Sequence, residues 1–328
     1  MNPLPFLQKT VSVFLPRSAS RLQSMRMLLF FSLILSVSVF SQVGIFSRED
    51  LVAYTPLWQG ERFPDGRPKV EDDLLERMKK VSIEEAWAVC NRHGFTNQFE
   101  GGWVCTHADP VLTGRAVTAF FQPLRPDVND VIAARGKEAD RIGGQNSWII
   151  DTVVKGDVIV VDLMGKVVDG TFMGDNLGNS IWAKSGGTGV VIDGGARDIE
   201  GVLRIPDFPV FNRGWDPSFI KDVMLMGINT PVRIGRAAVM PGDVVLAKRE
   251  GIIFIPAHLA REVVETSEII QLKDAFGHQR LREGKYTPGQ IDRQWTEDIE
   301  KDFTRWLLER GDSLTPYQKE KLLKGRTW

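Results

Sequence analysis

Residues 189–198, GVVIDGGARD, decide the fold together with three companion runs: GRAVTAFF (114–121), GDVIVVDL (156–163) and GDVVLAKREGIIFIP (242–256). Each is a short β-branched stretch launched from a glycine or a Gly-Asp turn, the composition of a buried strand. Segments 128–138 and 179–185 carry helical spacing and interrupt these strands, so the reading is mixed α/β and not a sandwich. The likeness of GDVIVVD to GDVVLAK is shared turn chemistry.

Outward from this core the two ends differ. Toward the C-terminus the chain reads as helical beyond Pro256. Leu259, Val263 and Ile270 share one helix face, and YTPGQ (286–290) marks a turn. Ile291, Trp295, Ile299, Phe303 and Trp306 then form an apolar stripe suited to helix packing or a subunit contact. Toward the N-terminus, Ser82 and Glu85 form a capping box that opens a helix ending near Gly94, and residues 74–80 make a short helix before it. Residues 42–73, rich in Pro, Gly and charge, read as an extended arm whose Tyr54, Trp58 and Phe63 need a surface to lie on.

Residues 1–41 carry Lys9, Arg17, Arg21 and Arg26 and no acid, then run into the apolar stretch MLLFFSLILSVSVF (27–40). Fourteen helical residues span about 21 Å, short of the ~30 Å hydrocarbon core. The segment therefore reads as a signal peptide with Val39 and Ser41 before the cleavage point, and the rest of the chain as exported, periplasmic or extracellular. The alternative is a membrane anchor over 27–46. An oxidising compartment leaves Cys90 and Cys105 as either a disulfide or two buried thiols.

The 328 residues carry 41 Lys+Arg against 42 Asp+Glu and are 43% hydrophobic, which excludes a disordered or polybasic chain and makes nucleic acid an unsuitable partner. With two cysteines and four scattered histidines there is no zinc framework. The glycines at 186–189 precede their strand, unlike a dinucleotide loop, and no Gly-x-Ser-x-Gly or His-Glu-x-x-His pattern occurs.

Chemistry concentrates in two places: Gly174-Asp175-Asn176-Leu177, and the turn after strand 189–193 that ends in Arg197-Asp198. A guanidinium offers a planar fork for a carboxylate. An aspartate offers a hard oxygen to Mg²⁺ or Mn²⁺, which keep most of their waters. Backbone N–H groups over 174–177 suit a carboxylate or an enolate oxygen. Together they fit a small anionic substrate and a divalent cation.

In their order along the chain, GRAVTA, KGDVIVVD, GDNL, GVVIDGGARD and PGDVVLAKREGIIFIP resemble the RraA-like family. That family includes 4-hydroxy-4-methyl-2-oxoglutarate aldolases and a ribonuclease regulator, and its members are often labelled demethylmenaquinone methyltransferases. The resemblance spans roughly residues 74–276. It implies a swivelling β/β/α core over 74–256, flanked here by the arm and by a C-terminal helical extension, 257–328. It also implies a homotrimer or a hexamer of two rings, with active sites at subunit interfaces.

Carried over by position, Gly174, Asp175, Asn176 and Leu177 match the loop that holds the pyruvyl carboxylate, Arg197 the arginine on the same oxo acid, and Asp198 the metal anchor. Asp175 is also placed to hold the water that protonates an enolate. Glu85 matches an acid contributed across the interface, although its capping role explains it equally. An acid commonly follows the arginine by four residues; here that position is Gly201, with Glu200 one residue early. The implied activity is a divalent-metal-dependent lyase on a 2-oxo acid, by retro-aldol cleavage or oxaloacetate decarboxylation, releasing pyruvate. The alternative is a non-catalytic regulator or a small-acid-binding protein.

Overall fold

A computed structural model of the chain describes residues 46–310 and 313–324, which belong to one compact unit, Gln42–Trp328. The expected signal segment, 1–41, lies outside the described residues, as does all but the last residue of the alternative anchor. Among the described residues no helix is long and apolar enough to cross a membrane.

Twelve strands are described: β1 (Phe99–Glu100), β2 (Val104–Cys105), β3 (Leu112–Pro123), β4 (Asp157–Thr171), β5 (Val190–Ala196), β6 (Val210–Asn212), β7 (Gly214–Trp215), β8 (Val223–Ile228), β9 (Val232–Ile234), β10 (Ala237–Val239), β11 (Val244–Lys248) and β12 (Gly251–Ile255). Ten form one mixed sheet in the order β1-β12-β11-β3-β4-β5-β6-β2, with β8 added on β3 and β7 on β5; β9 and β10 form a separate hairpin. β3, β4 and β5 lie parallel at its centre. Their runs are apolar without alternation because both faces are buried, as parallel strands require. Val117, Ile159 and Ile192 face one cluster, Ala116, Val160 and Val191 the other.

Crossover helices cover the first face. Pro126–Glu138 and Gln145–Ile150 link β3 to β4, and Asp175–Ser185 links β4 to β5. Ile132, Trp148 and Ile181 are the side chains they bury there. The stretch 242–256 is two strands, not one: Arg249 and Glu250 turn it into the hairpin β11–β12. Ile83–Arg92 begins at the expected capping box, where Ser82 N–H donates to Glu85 at 2.7 Å and Ser82 Oγ accepts from Glu85 N–H at 3.1 Å. It packs with Asp72–Met78 and the 23-residue helix Ala260–Arg282 against β11 and β12.

The C-terminal stripe is helix packing. Ile299, Phe303 and Trp306, on helix Glu297–Leu308, close over Phe276 of Ala260–Arg282, with Trp295 5.3 Å from the same ring. The turn at 286–290 is replaced in part by a one-turn helix, Pro288–Ile291.

The arm departs from its extended reading. It begins with a helix, Arg48–Tyr54, capped by Ser47 and Asp50. A Ser-x-x-Asp box does the work that Ser-x-x-Glu usually signals. The arm then lies on its own core. Arg67, 1% exposed, donates to Asp65 at 2.7 Å and to buried Asp157 at 3.2 Å, while the Phe63 ring sits 4.8 Å from its guanidinium and 5.3 Å from that of Arg115. Tyr54 stays exposed. Cys90 and Cys105 are free thiols, and burial pushes Cys90 up to about 12.

Two outcomes follow for stability. Arg67→Ala leaves Asp157 buried beside a lost partner and is expected to cost about 3–5 kcal/mol in urea unfolding at neutral pH. Asp243, wholly buried before β11, has its carboxyl pushed up to about 7 by desolvation, against N–H donors from Met240 and Ala257. From about pH 4 to about 7 the folded chain therefore keeps a proton that the unfolded chain has released. Stability should fall as pH rises through that window and level off above it. Asp243→Asn should flatten that part of the profile.

Candidate active site

The end of β5 and the start of helix Asp175–Ser185 are tied together by backbone bonds. Phe172 N–H donates to Gly195 O at 2.9 Å, and Arg197 N–H donates to Met173 O at 3.0 Å. This register sets Arg197 and Asp198 beside Gly174, the N-cap residue of the helix. The segment 174–177 is therefore the helix's first turn and not a free loop.

The first intrahelical bond runs from Gly178 N–H to Gly174 O, and Asn176 N–H is taken by its neighbour Asp175 at 2.8 Å. The N–H groups of Asp175 and Leu177 stand outside the helix ladder at its positive end, where an anion is favoured. Leu177 turns its side chain onto the core, and Asn176 is exposed.

Asp198 sits in the left-handed region, φ 59°, a conformation that Asp tolerates better than most residues. Its carboxylate lies 3.4 Å from Arg197 Nη1, with both side chains close to half exposed. Gly174 is required for this approach: a Cβ there would stand 2.2 Å from Asp198 Oδ2. Gly201 is equally constrained, since its Cβ would meet the Asp175 side chain at 2.7 Å. An acid at 201 would have to displace Asp175, so the two positions compete for the same space here.

These groups open onto a cavity of about 660 Å³ whose wall includes Asp175, Arg197, Asp198, Glu200 and Gly201. It brings together the three residues expected to be catalytic. The wall also includes Arg204, Trp215, Asp216 and Pro217, which sequence reasoning missed. No motif marks them: β7 pairs in parallel with the end of β5, Ala196 opposite Trp215, which brings Trp215 and the residues after it to the turn, while Arg204 follows the short helix Ile199–Val202. A Ser218 hydrogen bond holds the Asp216 carboxyl below its ordinary range.

Glu85 stands elsewhere. Its carboxylate accepts from Ser82 N–H and, at 2.6 Å, from Ser267 Oγ of the long C-terminal helix, so within the chain it is a structural acid. His93 pairs with Glu262 at 2.9 Å, which likewise joins two helices. Among the described residues no group of three or more His, Cys, Asp or Glu is arranged to hold a metal. A cation at this cavity would find fewer than three such protein ligands and rest largely on its own waters, a mode that suits Mg²⁺ or Mn²⁺ and not a tetrahedral zinc site.

Comparison with known proteins places the chain's family and fold. The profile of the RraA-like family, described as Aldolase/RraA, matches residues 82–254. A Halalkalibacterium halodurans protein, provisionally named 4-hydroxy-4-methyl-2-oxoglutarate aldolase, is 28% identical over 165 residues, 48% of this chain and 74% of that one. Protein DlpA of Legionella pneumophila is 32% identical over 211 residues, which cover 64% of this chain and 33% of that longer one. A crystal structure from Streptomyces coelicolor, described as an unusual member of the RNase ES inhibitor RraA family, superposes with a TM-score of 0.51 at 26% identity over 66% of this chain and 96% of that one. An uncharacterized Pseudomonas syringae protein gives 0.56 at 23% identity over 71% and 99%, a likeness of fold.

Gly174→Ala should push the Asp198 carboxylate out of place while leaving the core untouched. The expected result is about a hundredfold loss of any turnover at this cavity, with a melting temperature lowered by only a few degrees.

Proposed function

Because the chain belongs to the RraA-like family, we propose that its cavity is the active site of a divalent-metal-dependent lyase acting on a 2-oxo acid. The reaction is retro-aldol cleavage of a 4-hydroxy-2-oxo acid, decarboxylation of oxaloacetate, or both, with pyruvate as product. One observation carries the reading: Arg197, Asp198 and the N-terminus of helix Asp175–Ser185 meet in a single cavity.

Arg197 binds the substrate carboxylate through its planar fork. The unpaired N–H groups at the helix start orient the oxo acid against it. Asp198 is fitted to hold Mg²⁺ or Mn²⁺, since its carboxylate is half exposed in the cavity wall, where the lack of a Cβ on Gly174 gives it room. The bound cation would supply the positive charge that favours an enolate when the C3–C4 bond breaks. The electrons of that bond stay with the pyruvyl half; its partner leaves as CO₂ or, once the C4 hydroxyl has passed its proton to the water beside Asp175, as a carbonyl compound. Asp175, beside the same wall, holds the water that returns a proton to C3. At Gly201 the cavity wall lacks the acid common at that position in the family's aldolases. That absence supports a second reading, a small-acid binder that keeps the oxo-acid end without turnover.

Assembly into a trimer or a pair of trimers, with cavities at subunit boundaries, belongs to the same proposal. Exposed Ile199 and Leu203 beside the cavity support it, as apolar groups that a neighbouring copy would cover. Export directed by residues 1–41 rests on their basic and apolar pattern.

The test is pyruvate release from oxaloacetate and from 4-hydroxy-4-methyl-2-oxoglutarate. Turnover should require Mg²⁺ or Mn²⁺, vanish in EDTA, return when the metal is restored, and fall about 10²-fold or more in Arg197→Ala. Binding of a pyruvate analogue without release of product from either substrate would select the binder.

A further inference from the structure

A second cavity, of about 230 Å³, lies where the arm meets the core and shares no wall residue with the first. Its wall joins Tyr54, Leu57 and Trp58 of the arm to Phe95, Asp243 and His258. The arm residues and His258 fall outside the stretch matched by the family profile, so the cavity comes with the arm. The arm's side of the wall is fixed in place. Arg62 donates to Thr55 Oγ1 at 2.7 Å, to Thr55 O at 2.9 Å and to Trp58 O at 3.3 Å. Trp58 uses its one side-chain donor on Glu61 O at 2.7 Å, so the indole has only its π-surface left to offer. Tyr54 and Leu57 remain 60% and 62% exposed, apolar surface that the chain itself leaves uncovered.

Asp243 supplies the polar end. It is 5% exposed, and its carboxylate accepts from Met240 N–H at 2.8 Å and from Ala257 N–H. Among the described residues it has no ion pair, and the wall carries no lysine or arginine. A buried carboxyl without a cation is costly to ionise, and such a group bordering an apolar, aromatic cavity is the pattern of a binding site. We propose that this cavity binds a small organic cation, a primary ammonium group on a short aromatic body. The ammonium meets the Asp243 carboxylate, and the body lies on the rings of Tyr54, Trp58 and Phe95, whose faces also attract the charge. The site stands independently of the oxo-acid reading.

The test titrates 2-phenylethylammonium and its neutral counterpart, 2-phenylethanol, calorimetrically into the full chain at pH 8. The wild type should prefer the cation by about tenfold or more. Burial pushes the Asp243 carboxyl up to about 7, so the cation's affinity should rise about tenfold from pH 6 to 8 while that of the alcohol stays level. Two other titratable groups stand near that carboxyl. Burial pushes the Cys90 thiol up to about 12, so it stays neutral throughout, and burial with His93 nearby holds the His258 ring below its ordinary range. Asp243→Asn should bring the preference to within about twofold and remove the pH dependence, which separates the acid from His258. Tyr54→Ala, at an exposed position, should weaken both ligands together. Equal affinity for the two ligands in the wild type, binding of neither, or a preference kept in folded Asp243→Asn overturns the assignment. Binding of both ligands unchanged in Tyr54→Ala and Trp58→Ala would place them elsewhere on the chain and overturn it as well.

Discussion

The buried carboxylate of Asp157 is the constraint on which the arrangement of this chain turns. It stands at the first position of β4, fully enclosed, with Arg67 of the arm on one oxygen and Arg115 of β3 3.7 Å from the other. Burial pushes the carboxyl up and the two cations oppose that. A charge so placed is costly unless its partners stay, so three sequence-distant segments are held to one register. Arg115 extends the tie, donating to Val70 O at 2.6 Å and to Lys155 O at 2.7 Å. The arm is therefore part of the core's electrostatics, although it lies outside the stretch matched by the family profile.

The same register carries through to the site. β4 aligned on β3 aligns β5 on β4, and β5 delivers Arg197 and Asp198 at its C-terminal end. Ligand sites outside the carboxyl ends of parallel strands are the general outcome in such sheets, because the crossover helices begin there and bring their N-termini with them. The helix that begins at Asp175 has Gly174 as its cap, and that glycine is what lets the Asp198 carboxylate come so near. Fold and site meet at one residue without a side chain.

Much of this was legible in the chain. Unbroken β-branched runs marked strands buried on both faces, and Ser82 with Glu85 marked a helix start that the structure reproduces. Arg197 and Asp198 stand together because a tight turn follows a strand, a local feature, while Asp175 joins them through the backbone bonds between Phe172–Met173 and Gly195–Arg197. What escaped was non-local or ambiguous. Arg249-Glu250 inside an apolar run reads as a polar interruption, and only pairing shows that it reverses the chain. The helix at Arg48–Tyr54 was hidden by the prolines and glycines beyond it. Arg204, Trp215 and Asp216 carry no motif; Trp215 and Asp216 reach the cavity through the pairing of β7 with β5, and Arg204 from the turn that ends the short helix Ile199–Val202.

The left-handed backbone at Asp198 also limits what can replace it. Asn and Gly tolerate φ near 59°, so those exchanges alter the side chain and spare the main chain. Glutamate, the other hard-oxygen residue, would carry a backbone penalty of roughly 1–2 kcal/mol there as well as an extra methylene against Gly174. The reach of the anchoring carboxylate is thereby locked. A lineage that needed a different distance between cation and substrate would have to rebuild the strand-to-helix turn, because no single exchange at this position supplies it.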